Sequence, residues 1–101
     1  MYNSLKLTLY TQEDCGYCKL LKKKLSEWNF DYREINISHD LFAKDFLREK
    51  GHRTVPQLYW HNTHLNKMPT TELTYEHLCA ELDYENYIGG VENWSERKAS
   101  L

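Results

Sequence analysis

A chain of 101 residues with a formal net charge of −2 has material for one compact domain, spanning 1–101, and not for two. The near balance of acids and bases argues against a phosphate-tracking nucleic-acid binder, and the basic run Lys22-Lys23-Lys24 reads as the solvated face of a helix. No segment approaches the ~20 apolar residues of a membrane span, Met1 to Tyr10 has no long apolar leader core, and three cysteines are an odd number and too few for a secreted disulfide scaffold, so a cytoplasmic protein without a membrane partner is expected.

Leu5, Leu7 and Leu9 alternate with Lys6, Thr8 and Tyr10, the period of a strand with one apolar face. After the polar break Thr11 to Asp14, Leu21, Leu25 and Trp28 recur at spacings of four and three, which predicts a helix from Cys15 or Gly16 to Trp28, ended by Asn29. Asp31 to Ile37 is rich in β-branched and aromatic residues and predicts a second strand, giving a parallel βαβ opening. Ser38 or Asp40 can cap a second helix running to about Lys50, with Leu41, Phe42, Phe46 and Leu47 as its apolar stripe and Gly51 as its C′ residue. Pro56, which lacks a donor, suits the entry of the strand Gln57 to Trp60. His61 to His64 reads as a hairpin turn with a short return strand around Leu65. Thr74 is a strong N-cap signal, with Leu73 and Leu78 placed as a hydrophobic staple, and the Leu78/Leu82 stripe predicts a third helix to about Asp83.

The chemistry concentrates in "TQEDCGYCKL", residues 11–20. With the helix beginning at this motif, Cys15 stands at its N-terminus and Cys18 one turn in, on the same face. Unpaired backbone N–H groups and the positive end of the helix dipole favour a thiolate there, and such positions lower a cysteine pKa from ~8.5 to between ~3.5 and 7.5. Cys15 is therefore the candidate nucleophile, attacking a disulfide to give a mixed disulfide that Cys18 resolves. The competing chemistry is zinc, for which Cys79, His39, His52, His61, His64 and His77 are the remaining ligand types. The paired set, His61 and His64, lies far from the cysteines and is explained by a hairpin turn, so no metal site is expected. Cys79 falls on the Leu78/Leu82 helix, where a half-buried inert thiol is expected.

These residues resemble a glutaredoxin of the thioredoxin superfamily, through "LTLYTQEDCGYC", "RTVPQLYW" and "IGGVENW". The resemblance implies a thioredoxin-like α/β fold, a four-stranded mixed sheet flanked by helices, with a cis peptide before Pro56. It implies catalytic Cys15 and Cys18, and a glutathione groove lined by Tyr17 and by Thr54, Val55 and Pro56, with the Val55 backbone facing the substrate. It further implies that a turn at Gly89, Gly90, Val91 and Glu92 receives the γ-glutamyl end. The implied activity is glutathione-dependent reduction of protein disulfides or glutathione mixed disulfides by a monomer, with glutathione as cosubstrate, no tightly bound cofactor, and disulfide-containing proteins such as ribonucleotide reductase as recipients. Two alternatives remain open: a similar redoxin reduced by thioredoxin reductase, and a module holding an iron–sulfur cluster through Cys15 and glutathione.

Three departures from the family pattern matter. Gly16 replaces the usual motif proline and leaves φ unfixed. The acidic pair Glu13-Asp14 replaces a lysine, which puts anions beside Cys15, and Arg53, Lys50 or His52 is left to supply a cation. Gly89 also falls much further beyond Pro56 than the family's double glycine, so either a helix is inserted between them or Gly89-Gly90 is not the equivalent turn.

Overall fold

The computed structural model describes residues 6–89, with side chains described over 7–82. Its elements are β1 (Lys6–Thr11), α1 (Gly16–Glu27), β2 (Asp31–Asn36), α2 (Leu41–Glu49), β3 (Gln57–Trp60), β4 (Thr63–His64), a 3₁₀ turn (Thr70–Glu72) and α3 (Tyr75–Gly89). The strands form one sheet in the order β2-β1-β3-β4. β1 runs parallel to β2, with Leu9 opposite Glu34, and antiparallel to β3, with Leu9 opposite Leu58; β3 and β4 close an antiparallel hairpin with Tyr59 opposite His64. This is the mixed four-stranded sheet that the resemblance to glutaredoxins implies.

Strand alternation gives the sheet two unlike faces. On one, Leu7, Leu9, Leu58 and Leu65 meet Leu21 and Leu25 of α1, Leu78 and Leu82 of α3, and Leu73 just before α3, all within 1 % of complete burial. On the other, Tyr10 stacks on Phe46 of α2 at 5.5 Å between ring centroids, and Tyr59 meets both rings edge-on. Ala43 and Leu47, four apart, are the buried positions of α2, whereas Leu41 and Phe42 are exposed (74 % and 89 %). The expected stripe is therefore corrected: helix phase, not apolar character, selects the inward residues, and α2 directs Ala43, Phe46 and Leu47 at the sheet.

The helix ends follow their local signals. Asp40 caps α2 by accepting the Ala43 N–H at 3.0 Å, and Thr74 Oγ1 accepts the His77 N–H at 3.1 Å. Both α1 and α2 finish in the same C-terminal motif. Asn29 (φ +63°) and Gly51 (φ +87°) take the left-handed position, and Phe30 N–H and His52 N–H reach back to the carbonyls of Leu25 and Leu47. α3 runs beyond the expected stop at Asp83 to Gly89, because nothing from Asp83 to Ile88 breaks a helix. Nor is the lysine run simply solvated. Lys22 pairs with Glu34 at 2.9 Å, and Lys24 is half-buried, its Nζ donating to the Thr70 and Leu73 carbonyls at 2.6 and 2.9 Å.

Candidate functional site

The site lies where β1 gives way to α1, at the carboxyl end of the parallel β1/β2 pair. Thr11 ends the strand, its hydroxyl donating to Glu34 Oε2 at 2.7 Å; Asp14 turns the chain at φ +56°, and Cys15 is the N-cap residue of α1. Cys15 and Cys18 are joined as a disulfide with Cα atoms 5.2 Å apart. The Cys18 N–H points at Cys15 Sγ from 3.1 Å, so a first-turn helix donor and the helix dipole both favour negative charge on that sulfur once the bond is reduced. Cys15 is half-buried and Cys18 is 2 % exposed. Of the two sulfur-bearing residues, Cys15 is the more accessible.

Across from the pair, the Val55 carbonyl oxygen lies 3.9 Å from Cys15 Sγ, and the Val55-Pro56 peptide is cis. Tyr17, Thr54, Val55 and Pro56, separated by about forty positions in sequence, line one cavity of about 580 Å³. Its far wall comes from the segment after β4, with Asn66, Lys67, Met68, Pro69, Thr70 and Thr71. Gly89 instead ends α3, a helical residue and not part of a loop, and Gly90, Val91 and Glu92 lie outside the described residues. Sequence reasoning missed the 66–71 wall because it carries no recognised motif; the available signal was a polar residue, Asn66, directly after the buried Leu65.

The acidic loop is less hostile to a thiolate than its charge suggests. Glu13 is turned toward the β2–α2 connection: its carboxylate accepts from Asn36 Nδ2 at 2.8 Å and meets His39 Nε2 at 3.2 Å, while its N–H donates to Ser38 Oγ. The missing cation also has a place. A second cavity, about 320 Å³, opens on the other side of Val55 and gathers Lys44, Arg48, His52 and Arg53. Lys50 instead lies over the Phe46 ring at 5.6 Å.

His52 lines both cavities, and its ring is 4.6 Å from that of His64. His52 Nε2 is 2.7 Å from Tyr59 Oη, and His64 Nε2 is 2.7 Å from Gln57 Oε1. Burial pushes the pKa of His52 down; His64 is pushed down by burial and then by the facing His52. Among the described residues no group of three or more His, Cys, Asp or Glu side chains is placed to hold a metal ion. Cys79 is half-buried against the leucine core, on α3.

A βαβ unit continued by an antiparallel hairpin, with a Cys-x-x-Cys pair opening the first helix beside a cis-proline, defines a thioredoxin-like redox fold. A glutaredoxin family model matches residues 7–65, and the chain belongs to the glutaredoxin family. A putative glutaredoxin of Mycobacterium tuberculosis is 42 % identical over 52 residues, covering 50 % of this chain and 62 % of the relative. The glutaredoxin-like protein NrdH of Escherichia coli is 33 % identical over 52 residues, covering 52 % and 64 %. The chain thus spans less than two thirds of the length of these curated relatives. Among solved structures, the NrdH-redoxin from Escherichia coli superimposes with a TM-score of 0.56 at 28 % identity, covering 59 % of this chain and 79 % of that one. A buckwheat glutaredoxin–glutathione complex gives 0.52 at 28 % identity, covering 63 % and 62 %.

Proposed function

We propose that this protein is a thiol–disulfide oxidoreductase that reduces protein disulfides and glutathione mixed disulfides through Cys15 and Cys18, with glutathione returning the electrons. The observation that carries the reading is the redox pair at the start of α1, with Cys15 facing the carbonyl of Val55, a residue that lines a cavity with Tyr17. The Cys15 thiolate attacks one sulfur of the substrate disulfide, forming a mixed disulfide and expelling the other sulfur as a thiolate, which takes up a proton. Cys18 then attacks Cys15 Sγ, releases the second substrate thiol and closes the Cys15–Cys18 disulfide. Two electrons and two protons pass to the substrate. Two glutathione molecules restore the dithiol and leave as glutathione disulfide.

An extended substrate strand would lie along the Val55 backbone, with Tyr17, Thr54 and Pro56 around its cysteine. Arg53, which lines the second cavity beside Val55, is the cation that stands in for the absent loop lysine, whereas burial favours the neutral form of His52. Tyr17, between the two cysteines, is 61 % exposed and free to meet a ligand. A protein substrate such as ribonucleotide reductase, a cytoplasmic location, a monomeric state and a single domain over 1–101 belong to the same proposal.

A second reading, reduction by thioredoxin reductase, draws support from the likeness to NrdH proteins, one of which is described as having a thioredoxin-like activity profile. The deciding experiment is turnover of a small glutathione mixed disulfide with glutathione, NADPH and glutathione reductase, run beside NADPH with thioredoxin reductase and a protein disulfide. Glutathione-supported turnover that disappears in Cys15→Ser establishes the first reading; turnover with thioredoxin reductase alone replaces it with the second. Cys18→Ser is expected to keep reduction of the glutathione mixed disulfide and to lose dithiol reduction of a protein disulfide, and equal loss in both assays would contradict the two roles.

A further inference from the structure

We propose that Lys24 and Asn66 are positioning residues that together fix the wall of the substrate groove, an inference that rests on the oxidoreductase reading above. The wall is a short irregular segment ending in a three-residue 3₁₀ turn, and a turn of that length has little stability of its own. Two side chains tie it down. At its start, buried Asn66 accepts the Leu58 N–H at 2.8 Å and donates to the Pro56 carbonyl at 2.9 Å, which binds the wall to the strand following Val55. At its end, Lys24 of α1, the helix that carries the redox pair, donates to the carbonyls of Thr70 and Leu73 at 2.6 and 2.9 Å.

Between these anchors, Lys67, Met68 and Pro69 face the cavity and make no tie of comparable kind to either anchor element among the described hydrogen bonds. The segment is thus tied to the redox helix at its far end by Lys24 and to β3 at its near end by Asn66, with Met68 packed against the leucine core between them. Removing the Lys24 ammonium takes the charged donor from the carbonyls of two buried residues, Thr70 and Leu73. The chemistry at Cys15 does not involve these groups, so the effect falls on occupancy of the groove and not on sulfur exchange itself.

The test is single-turnover oxidation of the fully reduced full-length protein by two disulfides. One is a glutathionylated peptide, which fills the groove; the other is 2-hydroxyethyl disulfide, which has too little beyond its sulfurs to reach the wall. Lys24→Gln is expected to raise the half-saturating peptide concentration about fivefold to tenfold, the order of one lost charged hydrogen bond. Its limiting rate and its rate with the small disulfide should stay within about twofold, which lies inside the spread of such mutational effects. Lys24→Arg, which keeps a charged donor, should recover most of the loss. Asn66→Asp keeps an acceptor for Leu58 but replaces the donor to Pro56 with a carboxylate oxygen facing that carbonyl, and should raise the half-saturating peptide concentration from the other anchor. Parallel loss with both disulfides, or unchanged peptide saturation in Lys24→Gln or, should that variant not fold, in Asn66→Asp, overturns the proposal. Failure of the unmodified protein to be oxidised by either disulfide would instead overturn the oxidoreductase reading.

Discussion

His52 and His64 are the residues whose ionisation most directly concerns the groove. Both have pKa values held below that of a free imidazole by burial; for His64 the facing His52 and Lys67 push the same way, while Asn66 and Glu81 oppose it. An imidazole with a depressed pKa in the folded protein binds fewer protons there than in the unfolded chain. Its contribution is therefore present above the unfolded value of ~6.5 and is lost as pH falls through the lower folded value. Denaturant unfolding is expected to show a falling midpoint as pH drops below ~6.5, and His64→Gln should flatten that limb; an unchanged slope would disprove the assignment. Glu34 behaves in the same direction over a more acidic window. Its carboxyl is held low first by the hydrogen bond from Lys22 and then by that from Thr11, so its contribution persists down to its unfolded value of ~4.3 and disappears below it. The two windows separate the histidines from the carboxylate in one titration.

At the scale of elements, caps do much of the specifying. Gly51 holds φ at +87° with nothing within 4 Å of where a Cβ would stand, so Gly51→Ala meets only the backbone penalty, about 1 kcal/mol. Asp40→Ala removes the acceptor for the Ala43 N–H and should cost about 1 kcal/mol as well. Both are read from the shift in denaturation midpoint, with sulfur exchange retained. These signals were legible in the chain: Cys15, Asp40 and Thr74 as starts, Asn29 and Gly51 as ends. The apolar face of α2 was less so, since Leu41 and Phe42 outrank Ala43 in hydrophobicity and only the helix phase, fixed by the Asp40 cap, turns them outward. The length of α3 was hidden because its leucine stripe stops at Leu82 while its backbone continues. In the site, the cysteine pair and the Thr54-Val55-Pro56 run were legible because their chemistry depends on local spacing. The 66–71 wall depends on Lys24 and Asn66 meeting partners 46 and 10 residues away, which no local pattern encodes.

For the whole molecule, the glutaredoxin match ends at residue 65, yet the core does not. Leu73, Leu78 and Leu82 come after it and are at most 1 % exposed. A chain cut after Leu65 would leave the leucine face of the sheet covered by α1 alone and is expected to lose cooperative unfolding by circular dichroism, where the full chain keeps it. Leu9→Ala, at the centre of that face, should cost about 2–5 kcal/mol in the same measurement. The sheet's two faces also bear on how substrates are sorted. Val55 stands between two unlike chambers, one rich in Lys44, Arg48 and Arg53, the other walled by Asn66 to Thr71. An asymmetric disulfide laid across that peptide group meets a left hand and a right hand, since an anionic half faces Lys44, Arg48 and Arg53 on one side and Lys67 on the other. The protein should accordingly discriminate between the two sulfurs of a lopsided partner, so that the order in which the halves are released reports the polarity of binding.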